Sequence, residues 1–418
     1  MPKVLRIINR FNLGGPTYNV AYLSKFMEPE FETLLVGGSK DKSEDSSEHI
    51  LDDLGLHPVL LPEMKRAINL KKDWKAYKEL KKIIREFKPD IVHTHASKAG
   101  TLGRLAAISC KVPVIVHTFH GHVFHSYFGK IKTALFKNIE RYLAYKSTCI
   151  IAISDKQKQE LTAEHRICPP EKMIVIPLGF DLQRFREGKD EKRKDFKNTW
   201  GFQDDELLVM IIGRLVPVKN HILYLLALKR AITGCKRKIR GVIVGDGESR
   251  NAIESAAKNL NLSFRNGQVN GGEDVVFTSW IHRADWACAG ADIIVLSSFN
   301  EGTPVSLIEA QAAGKPVLST RTGGVENIVK ENCTAFLANV DDPDDFCSKL
   351  LKLTQNDELR KSMGEQGWGQ VGKKFHYTRL VEDMKILYRR LLHEHETPIT
   401  IIFITLLLHL QDLTRVYA

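Results

Sequence analysis

The chain of 418 residues carries 61 Lys plus Arg against 50 Asp plus Glu, giving a formal net charge of +11. Its length exceeds what one hydrophobic core usually supports, so two domains are expected, and the basic excess favours an acidic partner such as nucleic acid, anionic lipid or a phosphorylated substrate. Seven scattered cysteines with no CxxC pair speak against a disulfide framework and for a reducing compartment.

At the N-terminus, MPKVLRIINRF holds too short an apolar stretch before Asn9 and Arg10 for a secretory leader and reads as a first strand, which predicts a cytoplasmic protein. NLGGPTYN follows, residues 12–19. Glycines between a strand and a helix can bring backbone N–H groups against an anion, with Pro16 suited to the first helical turn, or they simply turn the chain. Gly14 and Gly15 are the candidates here. The stretch 65–88, KRAINLKKDWKAYKELKKIIREFK, is strongly basic. After the run DIVHTH come His95, Lys98 and Arg104; a cationic strand-end loop could meet an acceptor phosphate, with Lys98 the candidate and Arg104 open to a reading as a helix surface charge.

The run VPVIVHT leads into His117, His120, His122 and His125. Zinc is the sharp reading, but no carboxylate or cysteine joins them at ligand spacing, so polar lining at a strand end is preferred and no metal is expected. In the segment 129–146, Ile131, Leu135, Ile139, Tyr142 and Leu143 recur at helical spacing with Lys and Arg on the other faces. A helix packed on its own core with a solvated basic face explains this, and contact with an anionic membrane surface is the alternative.

Across the chain, short apolar runs alternate with longer helical patterns: VLRII, ETLLVGG, DIVHTH, VPVIVHT, CIIAIS and MIVIPLG, then LLVMIIG, GVIVGDG, DVVFTSW, DIIVLSS and KPVLST. Strands apolar throughout and separated by helices indicate parallel sheets covered on both faces, an α/β, doubly wound class. The alternation breaks in a polar, charged stretch. The expected organisation is therefore a first Rossmann-like domain over 1–180, a linker over 181–206, a second Rossmann-like domain over 207–375, a C-terminal helix over 376–396 and an apolar tail over 397–418. The apolar core of that tail, Ile399 to Leu410, falls well short of the ~20 residues needed to span a bilayer.

The densest chemistry lies in residues 297–329, SSFNEGTPVSLIEAQAAGKPVLSTRTGGVENIV. A buried strand runs into a loop with Glu301 and Gly302, Pro304 sits where a helix would start and Gly314 where it would stop. Ligands of open α/β sheets bind at the C-terminal ends of strands, which is where Glu301 would stand, with Glu309 about one and a half turns into the helix. Paired carboxylates there suit hydroxyl recognition. Another strand, LLVMIIG, ends in GRLVPVKN, putting Arg214 and Lys219 on a strand-end loop, a fork and a point charge for phosphate oxygens. Asp342-Pro343-Asp344 matches an acidic Asp-x-Asp pattern, but its place at a helix start fits capping.

Gly213-Arg214 with Lys219, Gly245-Asp246-Gly247, Glu301-Gly302 with Pro304 and Glu309, and Gly323-Gly324 occur in an order and spacing that resembles the retaining glycosyltransferases of family four, of the GT-B architecture. The resemblance implies two Rossmann-like domains facing a cleft, a C-terminal helix returning toward the first domain, and no cofactor or metal. It implies that Arg214 and Lys219 bind the donor diphosphate, that Glu309 holds the ribose hydroxyls and that Glu301 contacts the donor sugar. Backbone groups from Gly302 through Thr303 and Pro304 to Val305 would add to sugar and phosphate binding. Gly15, with Gly14, would form a first-domain lip approaching donor phosphate or acceptor, and His120 would lie near the donor sugar. Further implied are a nucleotide-diphosphate sugar as donor, UDP favoured, a lipid-linked saccharide as acceptor, and peripheral contact with the inner face of an anionic membrane. A sugar-nucleotide epimerase, a phosphorylase or a non-catalytic sugar-nucleotide-binding scaffold are the alternatives on the same fold. Nucleic acid is disfavoured because the basic segments lack module signatures.

Overall fold

The computed structural model describes residues 1–11, 15–39, 47–65, 67–121, 130–268 and 271–396. Gly14, His122, His125 and the tail 397–418 lie outside the described residues. The described chain forms two compact units, one from 1–153, 158–176 and 380–396, the other from 154–157 and 177–379.

In the first unit, the strands are β1 (Lys3–Arg10), β2 (Glu32–Gly38), β3 (Val59–Leu60), β4 (Ile91–His95), β5 (Val114–Phe119), β6 (Cys149–Ala152) and β7 (Met173–Val175). They pair in parallel in the order β3-β2-β1-β4-β5-β6-β7. The second unit repeats the plan with β8 (Leu207–Ile212), β9 (Ile239–Val244), β10 (Phe264–Asn266), β11 (Val275–Ser279), β12 (Ile293–Leu296), β13 (Val317–Thr320) and β14 (Ala335–Ala338), ordered β10-β11-β9-β8-β12-β13-β14. All eleven apolar runs are strands. β4, β5 and β9 are buried along their whole length, as sheets covered on both faces require. In each sheet the strand order reverses once, between β1 and β4 and between β8 and β12, and crevices for ligands open at such points.

The stretch 181–206 is not an extended connector. Residues Lys189–Thr199 form a helix within the second unit. Its Phe196 is fully buried, edge-on to Trp286 at 4.8 Å between ring centres, and Arg193 pairs with Asp292 at 2.7 Å. One aromatic per helix face is a thin periodic signal, which is why composition alone reads as linker. The final helix, Tyr377–Glu396, buries Leu380, Met384, Leu387, Tyr388 and Leu391, at helical spacing, in the first unit. The Tyr388 hydroxyl accepts from Arg6 Nη1 at 3.1 Å and meets His93 Nδ1 at 2.5 Å.

Candidate functional site

In the second unit the four glycine-bearing turns singled out above sit at the C-terminal ends of four adjacent strands, β9, β8, β12 and β13. Their glycines let backbone meet backbone. A Cβ on Gly245 would stand 2.1 Å from the Gly213 carbonyl oxygen, and Gly245 has a φ of +131° that few side chains tolerate. A Cβ on Gly324 would stand 1.9 Å from the Gly302 oxygen, and the Gly324 N–H donates to the Glu301 carbonyl at 3.1 Å. The turns after β12 and β13 are thereby locked as one piece.

Between β8 and β12, at the reversal point, the Lys219 ammonium pairs with Glu301 Oε1 at 2.6 Å. Ser298 donates to the same oxygen at 2.5 Å, Ser297 donates to the Lys219 carbonyl at 2.9 Å, and the Phe299 N–H donates to the Val218 carbonyl at 2.8 Å. The Lys219 and Glu301 loops therefore form one cradle with a cation and a carboxylate at its lip. Arg214 is exposed on the same loop as Lys219. Pro304 caps the helix Val305–Ala312, preceded by Gly302 and Thr303, and Gly314 follows that helix with a φ of +70°.

Glu309 lies on that helix and is buried. Burial pushes its carboxyl up to about 7; the Arg184 guanidinium pulls the other way and Asp285 adds to the rise. Among the described residues, no side chain hydrogen-bonds this carboxylate. A buried carboxyl in that condition is suited to accept hydroxyl donors from a ligand. Glu301 and Glu309 thus occupy different surroundings, one in an ion pair and one buried between the opposing charges of Arg184 and Asp285. Arg184 and Asp285 escaped the sequence reading because they come from other elements, the turn Gln183–Phe185 and the helix Ala284–Gly290.

In the first unit the strand-end histidines gather. His93 and His95 share a face of β4, alternate residues with rings 4.1 Å apart. His95 Nδ1 and His120 Nε2 are hydrogen-bonded at 3.0 Å, His93 Nε2 bonds Thr118 Oγ1 at 2.7 Å, and His117 Nδ1 bonds Thr94 Oγ1 at 2.8 Å. Burial lowers the affinity of all four for protons, His120 to about 4 and the others well below the usual imidazole range. His120 Nδ1 and His95 Nε2 remain buried without a partner. Among the described residues, no group of three or more His, Cys, Asp or Glu is arranged to hold a metal. The pattern His-x-His in DIVHTH was the available signal for His93.

Gly15 is buried at the start of the helix Gly15–Lys25. Lys98 does not stand free for an acceptor: its ammonium pairs with Asp73 at 2.5 Å and donates to the carbonyls of Lys65 and Ala67. Arg104 is no surface charge either. It is fully buried, with Nη2 on Glu140 at 2.6 Å, because an unpaired buried guanidinium would be far too costly. On the helix Lys130–Lys146 the apolar series splits, Leu143 buried and Leu135 and Tyr142 exposed. Asp342 caps its helix, accepting from the Asp345 N–H at 3.0 Å.

Residues 14–184 match the model of Glycosyltransferase Family 4, and residues 192–369 match that of Glycosyl transferases group 1. The chain is 31% identical over 341 residues to the Escherichia coli UDP-Gal:alpha-D-GlcNAc-diphosphoundecaprenol alpha-1,3-galactosyltransferase, covering 81% of this chain and 84% of that one. Among solved structures, it superposes on the sucrose-phosphate synthase of Thermosynechococcus elongatus with a TM-score of 0.77 at 17% identity, covering 94% of this chain and 100% of the other. The Anabaena HepE protein in complex with UDP and glucose gives 0.76 at 16% identity, covering 93% and 100%. At these identities the structural likeness establishes the fold.

Proposed function

Since the chain belongs to the group 1 glycosyltransferases of family four, GT-B enzymes that use nucleotide sugars, we propose that it moves a hexosyl or N-acetylhexosaminyl unit, with retention, from a UDP-sugar to a hydroxyl of a lipid-linked saccharide in cell-surface polysaccharide synthesis. The observation that carries this reading is the cradle at the β8/β12 reversal point, where Lys219, Glu301 and the turns of Gly213 and Gly324 converge.

In this reading Lys219 and Arg214 take the diphosphate and neutralise the charge that develops as the nucleotide leaves, fixed cations standing in for a metal. Glu309 accepts the ribose hydroxyls, and Glu301 turns to the sugar once phosphate replaces it on Lys219. The turn from Gly302 through Thr303 to Pro304 and Val305 brings backbone against sugar and phosphate. His120, neutral through burial, bonds a sugar hydroxyl, and Gly15 lets backbone approach phosphate. The leaving phosphate oxygen receives the acceptor proton on the face it vacates, which yields retention without a second carboxylate base. The acceptor class follows the E. coli relative, whose name specifies a diphosphoundecaprenol-linked saccharide; in this reading the enzyme works at the cytoplasmic side of the membrane.

A panel of UDP- and GDP-sugars screened by thermal shift, followed by transfer to undecaprenyl-diphosphate saccharides with the product anomer read by NMR, tests the proposal. Stabilisation by a UDP-sugar and an α-linked product insensitive to EDTA are expected. Stabilisation by GDP-sugars alone, or an inverted product, overturns it.

A further inference from the structure

We infer that Lys192 is a positioning residue for Glu309: one ammonium grips both the backbone of Arg184 and the carboxylate of Asp285, the two charged residues that flank the carboxyl proposed for the ribose hydroxyls. The contact stands on its own geometry, and its consequence for nucleotide binding rests on the proposed role of Glu309.

A tight reversal of the chain brings these residues together. After the turn Gln183–Phe185, Gly188 adopts a φ of +58°, and the helix Lys189–Thr199 runs back so that Lys192, in its first turn, meets Arg184. Lys192 Nζ donates to the Arg184 carbonyl at 2.6 Å and pairs with Asp285 Oδ2 at 2.8 Å. Both side chains of the pair are largely buried, Lys192 17% and Asp285 8% exposed. Burial pushes the Asp285 carboxyl up, and Lys192, with Arg184 and Arg283 behind it, brings it below the usual carboxylate range, so Asp285 stands charged.

Docking of the helix does not require this pair. Phe196 packs edge-on to Trp286 and so close to Gly290 that a Cβ there would stand 2.2 Å from its ring. Arg193 reaches Asp292 and donates to the carbonyls of Gly290 and Ala291 at 3.1 and 3.2 Å, and Trp286 Nε1 donates to Asp195 at 2.7 Å. Of these contacts, that of Lys192 is the one made to the residues whose charges reach Glu309, Arg184 favouring its ionised form and Asp285 its protonated form. Cys288, on the same helix as Asp285, is kept neutral by burial. The helix Asp357–Val371 meets the Glu309 helix and its end through Gly367 and Gly364, where Cβ atoms would stand 2.6 and 2.2 Å from the carbonyl oxygens of Gln311 and Gly314. The Lys315 ammonium, beyond that end, is engaged by the Ala289 carbonyl at 2.9 Å. Arg184, Asp285 and the lysine that holds them therefore set the field at Glu309.

The test is a carbon-13 NMR titration of the unliganded full chain, labelled at its glutamate carboxyls, with the Glu309 signal identified by its loss in Glu309→Gln. Lys192→Met leaves the Asp285 charge uncompensated and should raise the Glu309 midpoint by about 0.5 pH or more, while Asp285→Asn should lower it by about as much. Both variants break the same ion pair, so a merely structural role would move them alike. Lys192→Arg keeps the cation and should stay within about 0.2 pH of the parent. Lys236→Met, at an exposed lysine of the same unit, should do so too. Circular dichroism verifies the fold. An unmoved Glu309 in Lys192→Met, or an unmoved or raised midpoint in Asp285→Asn, overturns the proposal. Calorimetric titration with UDP then reads the consequence: Lys192→Met should bind about threefold more weakly than the parent at pH 6.5 and within about 1.2-fold of it at pH 8.5. An upward shift of Glu309 with equal losses of UDP affinity at both pH values supports the Lys192 assignment and overturns the ribose reading.

Discussion

Lys219 and Glu301, 82 residues apart in sequence, meet at 2.6 Å between the two strands where the second sheet reverses its order. In the proposed function the cation takes phosphate, and the carboxylate that pairs with it is the group an anionic ligand displaces.

If so, the two partners respond oppositely to substitution. Glu301→Gln removes a negative charge from the cradle and should tighten UDP binding about threefold to tenfold, a modest gain because the pair is part-exposed and screened, while lowering kcat by two orders of magnitude or more. Lys219→Ala should weaken UDP binding at least tenfold. Calorimetric titration with UDP and steady-state kinetics measure both; weaker UDP binding in Glu301→Gln would contradict the displacement.

With Glu309 on the ribose hydroxyls, as proposed, nucleotide binding is expected to be proton-linked. Its carboxyl, raised to about 7 by burial, is partly protonated at pH 6.5, and ribose hydroxyls donating to it favour the ionised form. Binding at pH 6.5 should therefore release a fraction of a proton, seen as a dependence of binding enthalpy on buffer ionisation enthalpy. Glu309→Gln should abolish that release. The raised value also means that the native state holds this proton more tightly than the unfolded chain, so its contribution to stability is present below pH 4.5 and lost as pH rises toward 7. Glu309→Gln should accordingly gain Tm relative to the parent at pH 8.

The buried histidines act in the opposite sense. Unfolded imidazoles bind protons below about pH 6.5, whereas His120 in the fold does so only near 4, and His93, His95 and His117 are lowered as well. Stability is full above 6.5 and declines as pH falls toward 4. Thermal melts from pH 7.5 to 4.5 should show the first unit unfolding first in acid. His117→Gln should flatten the slope even if it lowers Tm at pH 7.5.

His95 and His120 share a 3.0 Å hydrogen bond between ring nitrogens, which couples the tautomers of the two rings. Asn carries its amide where Nδ1 of His95 lies, so His95→Asn should retain most of the turnover, while His95→Leu should lose tenfold or more in kcat with donor KM little changed. Equal losses in the two variants would reduce His95 to a packing residue.

Gly324→Ala isolates crowding from backbone strain, since its φ of −85° suits any residue while its Cβ would stand 1.9 Å from the Gly302 oxygen. The turn after β12 must shift. Loss of several degrees in Tm together with a tenfold or greater rise in donor KM is expected, and an unchanged KM would detach this turn from the donor site.

Continuous apolar runs determined the α/β class and eleven of the fourteen described strands, and the glycine, proline and charge spelling of the strand-end loops singled out Arg214, Lys219, Glu301 and Glu309 as candidates. Such features are local: a strand covered on both faces is apolar throughout, and a turn that admits another backbone needs glycine. The edge strands Val59–Leu60, Phe264–Asn266 and Ala335–Ala338 lacked that signal because each is too short to form a continuous apolar run. Tertiary structure alone decided the pairings. Arg6 and Tyr388 bond across 382 residues, Arg104 finds Glu140, Lys98 turns to the loop beside it, and Glu309 feels the charges of Arg184 and Asp285. Periodicity states which face a side chain occupies but not what comes to cover it. Leu70 and Trp74 make the same point from the other side: both are apolar, and only the folded unit shows them exposed among the described residues.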